Sequence, residues 1–196
     1  MNVADAGSIR AFLAADPPPE ILERIAAIQR ELKKSLQGSI AWVRPEGIHL
    51  TLKFFGNITP EQAEVIGTEV RKAVPGTYPL SLCGRSLGVF PDLRRPRVIW
   101  LGLDGDVARL SALQEKMEAG LETCGFAREE RSFRAHLTLA RIKDGRGLVG
   151  LEQALKNPRF QEAGDFVVDK LTLFRSELTP KGAIYTRLAT FPFAGD

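Results

Sequence analysis

Histidine is nearly missing from this chain, with only two in 196 residues. Cysteine is as scarce. Cys83 and Cys124 stand far apart with no CxxC spacing, which excludes a disulfide-stapled secreted scaffold and points to a reducing, cytoplasmic setting. No apolar run approaches the roughly 18 residues of a spanning helix, and Met1 to Arg10 lacks a basic stretch followed by an apolar one. Neither export nor a membrane is expected, and a monomer is. The net charge is only +3, too small to make the whole surface a polyanion trap. What excess there is lies in patches: Arg85, Arg94, Arg95 and Arg97 flank one loop, and Arg128, Arg131, Arg134 and Arg141 flank the second histidine. Such patches attract phosphates locally. With 44% hydrophobic residues the chain can bury a core, as one domain or as two small lobes.

Taken in order, Ile9 to Ala15 is an apolar run closed by Asp16-Pro17-Pro18-Pro19, a buried strand followed by a proline-initiated helix. Ile21, Leu22, Ile25, Ile28 and Leu32 recur at helical spacing, so a helix is expected from Glu20 to Leu36. Strands are expected over Ile40–Val43 and Gly47–Gly56. Thr59 should then cap a second helix, with Gln62 completing a capping box. Tyr78–Phe90 and Val98–Leu103 read as strands around the basic loop, Asp106–Thr123 as a helix, Phe133–Ile142 as a strand, and Leu148–Leu155 as a short helix. The remainder, Asp165–Ser176 and Ala183–Phe191, alternates like a hairpin turning through Thr179-Pro180-Lys181-Gly182.

Both histidines sit in one tetrapeptide, His-Leu-Thr-Leu, at 49–52 and again 87 positions later at 136–139. The same offset lays the strand at 9–15 on 96–102 and the helix at 20–36 on 107–123. Each half reads strand, helix, His strand, helix. The expected fold class is α+β, a single bilobal domain over 1–196 with an internal duplication. Its two pseudo-symmetric lobes would each be an antiparallel sheet with helices on the outer face, around a central groove.

In a strand, alternate side chains share a face, so His49 and Thr51 point one way and Leu50 and Leu52 the other, and likewise for His136 and Thr138. Two lobes facing across a groove would gather two imidazoles and two hydroxyls about one point. That set suits in-line attack at phosphorus, because histidine titrates near a pKa of roughly 6.5 and can serve as acid or base. Threonine hydroxyls can donate to the charged non-bridging oxygens. The alternative is two core histidines in buried strands. Spending every histidine of the chain on one repeated unit argues against it. No metal and no cofactor is expected, because neither histidine lies among ligand-type residues at metal-site spacing.

The paired motifs, with Phe54-Phe55-Gly56 after the first and Ala140-Arg141 after the second, resemble the 2H phosphoesterase superfamily. More closely they resemble its RNA 2',3'-cyclic phosphodiesterases, historically named 2'-5' RNA ligases. Phe12-Leu13-Ala14-Ala15-Asp16, Arg97-Val98-Ile99-Trp100-Leu101-Gly102 and Phe133 extend the match over nearly the whole chain, while Ala135 stands where the family commonly has proline. The resemblance implies a bilobal fold and metal-independent opening of RNA 2',3'-cyclic phosphate ends, or of cyclic nucleotides, to 2'-phosphates. It implies His49 as the acid, His136 as the base, Thr51 and Thr138 on the phosphate, and Phe54 and Arg141 in contact with base and phosphate. Strict alternation would put Phe54 and Arg141 on the leucine face, so a bulge or twist must turn them.

Three other signals carry less. Gly84-Arg85-Ser86-Leu87-Gly88 matches G-x-S-x-G, but no helix signal follows the serine as a nucleophile elbow requires. Lys53 shares the face of His49 by alternation and could reach a phosphate. The arginines at 94–97 could track an RNA backbone. Reversible 2'-5' RNA ligation by the same groups, and a non-catalytic RNA- or nucleotide-binding module, remain the competing functions.

Overall fold

The computed structural model describes residues 7–179 and 182–194. Its elements are β1 (Ile9–Ala15), α1 (Pro19–Ser35), β2 (Gln37–Trp42), β3 (Leu50–Ile58), α2 (Pro60–Ala73), β4 (Leu80–Phe90) and β5 (Val98–Gly105). Then come α3 (Val107–Thr123), β6 (His136–Val149), α4 (Leu151–Lys156), β7 (Glu162–Val168), β8 (Lys170–Thr179) and β9 (Gly182–Pro192).

Local chemistry accounts for the helix ends. Proline occupies the first turn of α1, where its missing N–H is no loss, and Ile21, Ile25, Ile28 and Leu32 bury one stripe. At α2 the capping box is present: Gln62 N–H donates to Thr59 Oγ1 at 3.2 Å, and Thr59 N–H to Gln62 Oε1 at 2.9 Å. The G-x-S-x-G stretch lies inside β4 with no helix after it, at a register break where Ser86 takes φ 68°.

All strand pairs are antiparallel, in the order β7-β4-β5-β6-β3-β1-β8-β9, with β2 paired to β6. The middle of that order is the junction of the two His strands. A single pair, Leu50 with Leu137, joins β3 to β6, and these two positions are themselves one offset of 87 apart. Outward from the junction stand β5 then β4 on one side and β1 then β8 on the other. β1 and β5 each lead into a helix of 17 residues, and the helices pack as α1 with α4 and α2 with α3.

Two expectations change. Asp165–Ser176 is not one strand, because its two parts find different neighbours. β7 pairs with β4, whereas β8 pairs with β1 and β9. Only Asp169 separates them. One residue advances the chain by about 3.8 Å, so the sheet must curl until its two sides meet at that point. The second His strand starts at His136 rather than Phe133 and runs on to Val149, because β2 supports its far part through Ser39 and Gln37. Of the expected hairpin turn, Pro180 and Lys181 lie outside the described residues.

The core lies on the leucine face. Leu50, Leu52, Leu137 and Leu139 are 1%, 4%, 0% and 0% exposed. Burying each is worth roughly 1.5–3 kcal/mol, which fixes the phase of both strands and sends the His-Thr faces the other way.

Candidate active site

The antiparallel sense at the Leu50–Leu137 pair sets the geometry of the site. Continuing it by one residue either way brings His49 alongside Thr138 and Thr51 alongside His136. Two symmetric-looking bulges then complete the face. In the β1–β3 ladder Leu13 pairs with Lys53 and Ala14 with Thr51, leaving Leu52 over. In the β5–β6 ladder Ile99 pairs with Ala140 and Trp100 with Thr138, leaving Leu139 over. Each extra residue reverses the alternation beyond it. Leu52 and Lys53 therefore both face the core, as do Leu139 and Ala140, and Phe54 and Arg141 emerge on the His-Thr side.

The bulge also corrects the expectation for Lys53, which does not share the face of His49. Its ammonium is buried beneath the sheet, 2.7 and 2.9 Å from the carboxylate oxygens of Glu118 in α3 and 2.8 Å from the Ala127 carbonyl. It joins the first His strand to the segment leading into the second.

A cavity of about 340 Å³ opens on the His-Thr side. Five of the six expected site residues line it: His49, Thr51, Phe54, Thr138 and Arg141. The sixth, His136, is not in its wall but lies two residues before Thr138 on the same strand face. Phe54 is 59% exposed at the cavity rim, with its ring 5.8 Å from that of Phe12. A second cavity of about 300 Å³ lies between Arg71, Val74 and Pro75 at the end of α2 and residues 190–194, away from the motifs.

The two histidines have different surroundings. His49 is packed among the rings of Phe174, Tyr185 and Phe12 at 4.9, 5.0 and 5.5 Å. Its Nδ1 lies 2.9 Å from Asp16 Oδ1, and the other oxygen of Asp16 accepts from Arg187 Nη2 at 3.0 Å. Burial opposes the charge on Asp16, but the hydrogen bonds from His49 and Arg187 outweigh it and hold the carboxyl below its ordinary range. A carboxylate only accepts, so Nδ1 of His49 carries a proton. Its Nε2 is buried, and among the described residues it has no hydrogen-bond partner.

His136 instead donates from Nδ1 to the Arg134 carbonyl at 2.6 Å, leaving Nε2 unprotonated in the neutral ring. Phe90 meets it edge-on at 5.0 Å and Trp100 lies at 6.3 Å. Burial, aided by the nearby Arg141 charge and opposed by the Arg134 bond, pushes its pKa below 6.5. Trp100, cross-strand from Thr138, fits over Gly88, where any Cβ would collide with the indole.

Sequence reasoning missed Asp16, Arg187 and the aromatic packing of Phe12, Phe174 and Tyr185. Asp16 stood in the sequence as the end of a buried strand and as part of a stretch that extends the family match, with no role read for it, and Arg187 lies 171 positions from it, with no local signal linking them. Among the described residues no three His, Cys, Asp or Glu side chains are grouped to hold a metal ion, and no helix is long and apolar enough to cross a membrane.

A two-sided antiparallel sheet with paired His-x-Thr strands at its centre defines a phosphoesterase architecture, and comparison agrees. The LigT-like phosphoesterase model matches residues 15–100 and again 101–185, so the chain belongs to that family, within the 2H phosphoesterases. An RNA 2',3'-cyclic phosphodiesterase of Methanothermobacter thermautotrophicus is 37% identical over 183 residues, 93% of this chain and 98% of its own. One from Aquifex aeolicus is 31% identical over 188 residues, 95% of this chain and 98% of its own. Among solved structures, TT0787 of Thermus thermophilus superposes with a TM-score of 0.76 at 26% identity, over 96% of this chain and all of that one. Escherichia coli LigT without ligand has the same fold, with a TM-score of 0.75 at 22% identity, over 97% of this chain and all of that one.

Proposed function

We propose that the chain hydrolyses 2',3'-cyclic phosphate ends of RNA to 2'-phosphates without a metal, with His136 as general base and His49 as general acid. The observation that carries the reading is the unequal support of two otherwise matching histidines. His136, neutral and with Nε2 free, takes a proton from the attacking water. The water oxygen bonds to phosphorus opposite the 3'-oxygen, and the bond from phosphorus to that oxygen breaks. His49 gives its Nε2 proton to the departing 3'-oxygen, with Asp16 holding the imidazolium beforehand. Thr51 and Thr138 donate to the non-bridging oxygens as charge grows on them. Arg141 adds a fixed positive charge, and Phe54 offers an exposed ring for the base. All bonds and protons are accounted for by these groups and one water.

We infer in addition that the whole chain is one bilobal domain made by duplication of a lobe. The twofold family match, the shared offset of 87 at the Leu50–Leu137 pair and the two bulges support it.

The test is incubation of an RNA ending in a 2',3'-cyclic phosphate, with chelator present, and determination of the product phosphate position. A 2'-phosphate is expected, together with losses of roughly 100- to 10,000-fold in His49→Ala and His136→Ala. Tight binding with no turnover would mean a binding module. A near wild-type rate in His49→Ala would refute the paired mechanism.

A further inference from the structure

The two sides of the sheet match around the histidines until the last strand. On one side Phe12 pairs with Phe54 and, outward, with Phe174, whose ring lies 4.9 Å from that of His49. On the other Val98 pairs with Arg141 and, outward, with Phe90, whose ring lies 5.0 Å from that of His136. Phe174 and Phe90 thus occupy equivalent places. Beyond Phe174 the sheet continues, because β9 runs along the whole of β8. Beyond Phe90 it stops: β7 pairs with residues 80–85 of β4, and among the described residues no strand follows at Phe90. The position beside each histidine differs as well. Asp16, directly after β1, reaches His49, whereas Gly102 pairs with His136, and a Cβ there would lie 3.0 Å from the Arg85 carbonyl oxygen and from the Trp100 ring.

The extra strand delivers Arg187. Phe174 pairs with Arg187 and Leu173 with Ala189, leaving Leu188 over. That extra residue reverses the alternation, as at Leu52 and Leu139. Tyr185 and Arg187 therefore face the His-Thr side, while Ala189 and Phe191 pack into the core. Without the bulge Arg187 would share the face of Phe191 and could not meet Asp16. With it, one carboxylate is gripped from both ends: Arg187 Nη2 donates to Asp16 Oδ2 at 3.0 Å, and His49 Nδ1 to Asp16 Oδ1 at 2.9 Å. The Arg187 side chain is 69% exposed, and an ion pair that open to water adds little to folding stability. What it holds is the carboxylate that holds His49.

We propose that Arg187 is a positioning residue for the general acid: it fixes Asp16 in the orientation that keeps a proton on Nδ1 of His49, leaving Nε2 to protonate the departing 3'-oxygen. The proposal rests on the phosphodiesterase reading for the identity of that leaving group. A carboxylate held at one oxygen can turn about its Cβ–Cγ bond toward water. Held at both, it must break two charge-assisted bonds to do so. His136 needs no such clamp, because the Arg134 carbonyl behind it belongs to the main chain and cannot turn away alone. Arg187 meets no reacting atom in this scheme, so its whole effect passes through Asp16.

The experiment is a double-variant cycle on turnover of a 2',3'-cyclic mononucleotide, using the wild type, Arg187→Gln, Asp16→Asn and the two combined. Arg187→Gln is expected to lower kcat by about 3- to 10-fold with KM little changed and the thermal midpoint unmoved. Arg187→Lys, which keeps a cation at that place, should fall between it and the wild type. The combined variant should be no slower than Asp16→Asn alone, since a residue acting through Asp16 has nothing left to act on. Losses that multiply, or a loss confined to KM, overturn the proposal. A readout without substrate is the proton on Nδ1 of His49, which a carboxylate acceptor moves to low field in the NMR spectrum and which His49→Ala assigns. It should be sharp in the wild type and broadened by exchange with water in Arg187→Gln. Should the wild type turn over no cyclic phosphate, the phosphodiesterase reading fails on its own, and this resonance decides the positioning role: broadening in Arg187→Gln supports it, and an equally sharp signal in both overturns it.

Discussion

Replacing Lys53 with methionine should cripple stability without touching chemistry. The Lys53 and Glu118 side chains are 6% and 4% exposed, and the ammonium spends its three donors on the two Glu118 oxygens and the Ala127 carbonyl. Methionine fills most of the volume but leaves Glu118 as a buried carboxylate, aided among the described residues by Gln114 Nε2 at 3.2 Å and Glu129 N–H at 3.4 Å. Breaking one side of a buried pair typically costs about 3–5 kcal/mol. For a chain of this size each kcal/mol lowers Tm by about 2–4 °C, so Lys53→Met should melt roughly 6–20 °C early. Adding Glu118→Gln removes the stranded charge and should restore much of the loss, because neutral replacements of buried pairs are often tolerated. Thermal unfolding followed by circular dichroism measures both variants, and turnover of a cyclic mononucleotide well below the transition should match the wild type in the double variant. If Lys53→Met kept its Tm and lost turnover, the lysine would be meeting substrate and the bulge argument would be wrong.

Asp16→Asn should lower kcat by between about 10- and 100-fold with KM little changed, less than the loss of the imidazole itself, because a neutral amide no longer stabilises the His49 imidazolium. The same carboxylate has a depressed pKa, so the stability it contributes is present above about pH 4 and is lost as pH falls through its folded value; the variant should show a shallower acid unfolding curve. For His136 the folded pKa is also lowered, so the unfolded chain takes the proton first, and stability from this group is full above about pH 6.5 and declines below it. The acidic limb of kcat/KM should accordingly fall below pH 6.5 and move upward in Arg141→Gln, which removes one cause of the depression; a limb that does not move would dissociate Arg141 from the base. Gly88→Ala drives a methyl into the Trp100 ring and should destabilise by about 1–3 kcal/mol, checked by urea unfolding; an unchanged midpoint would show that the indole can shift freely.

Much of this protein is written in local sequence. The capping box at Thr59, the proline start of α1, the apolar stripe of Ile21, Ile25, Ile28 and Leu32 and the alternation of the two His-Leu-Thr-Leu units all depend on neighbours a few positions away, and such signals are legible one segment at a time. The need for a turn before Phe54 and Arg141 was legible too, as a conflict between alternation and the family resemblance. Its position was not. Where a ladder drops a residue depends on the partner strand, and the bulges at Leu52 and Leu139 are set by β1 and β5. For the same reason alternation misplaced Lys53, whose true partner lies 65 positions away in α3.

The paired His-x-Thr units, their phase and the family they belong to were therefore determined by the sequence alone, because a period of two and an offset of 87 need no third dimension to be counted. Tertiary structure decided what distinguishes one histidine from the other. Asp16 with Arg187 behind His49, and a backbone carbonyl behind His136, come from chain-distant or main-chain groups that leave no pattern in the residues around either motif. The physical reason is that a proton's position on an imidazole is set by what accepts from its other nitrogen, and only folding brings that acceptor within about 3 Å.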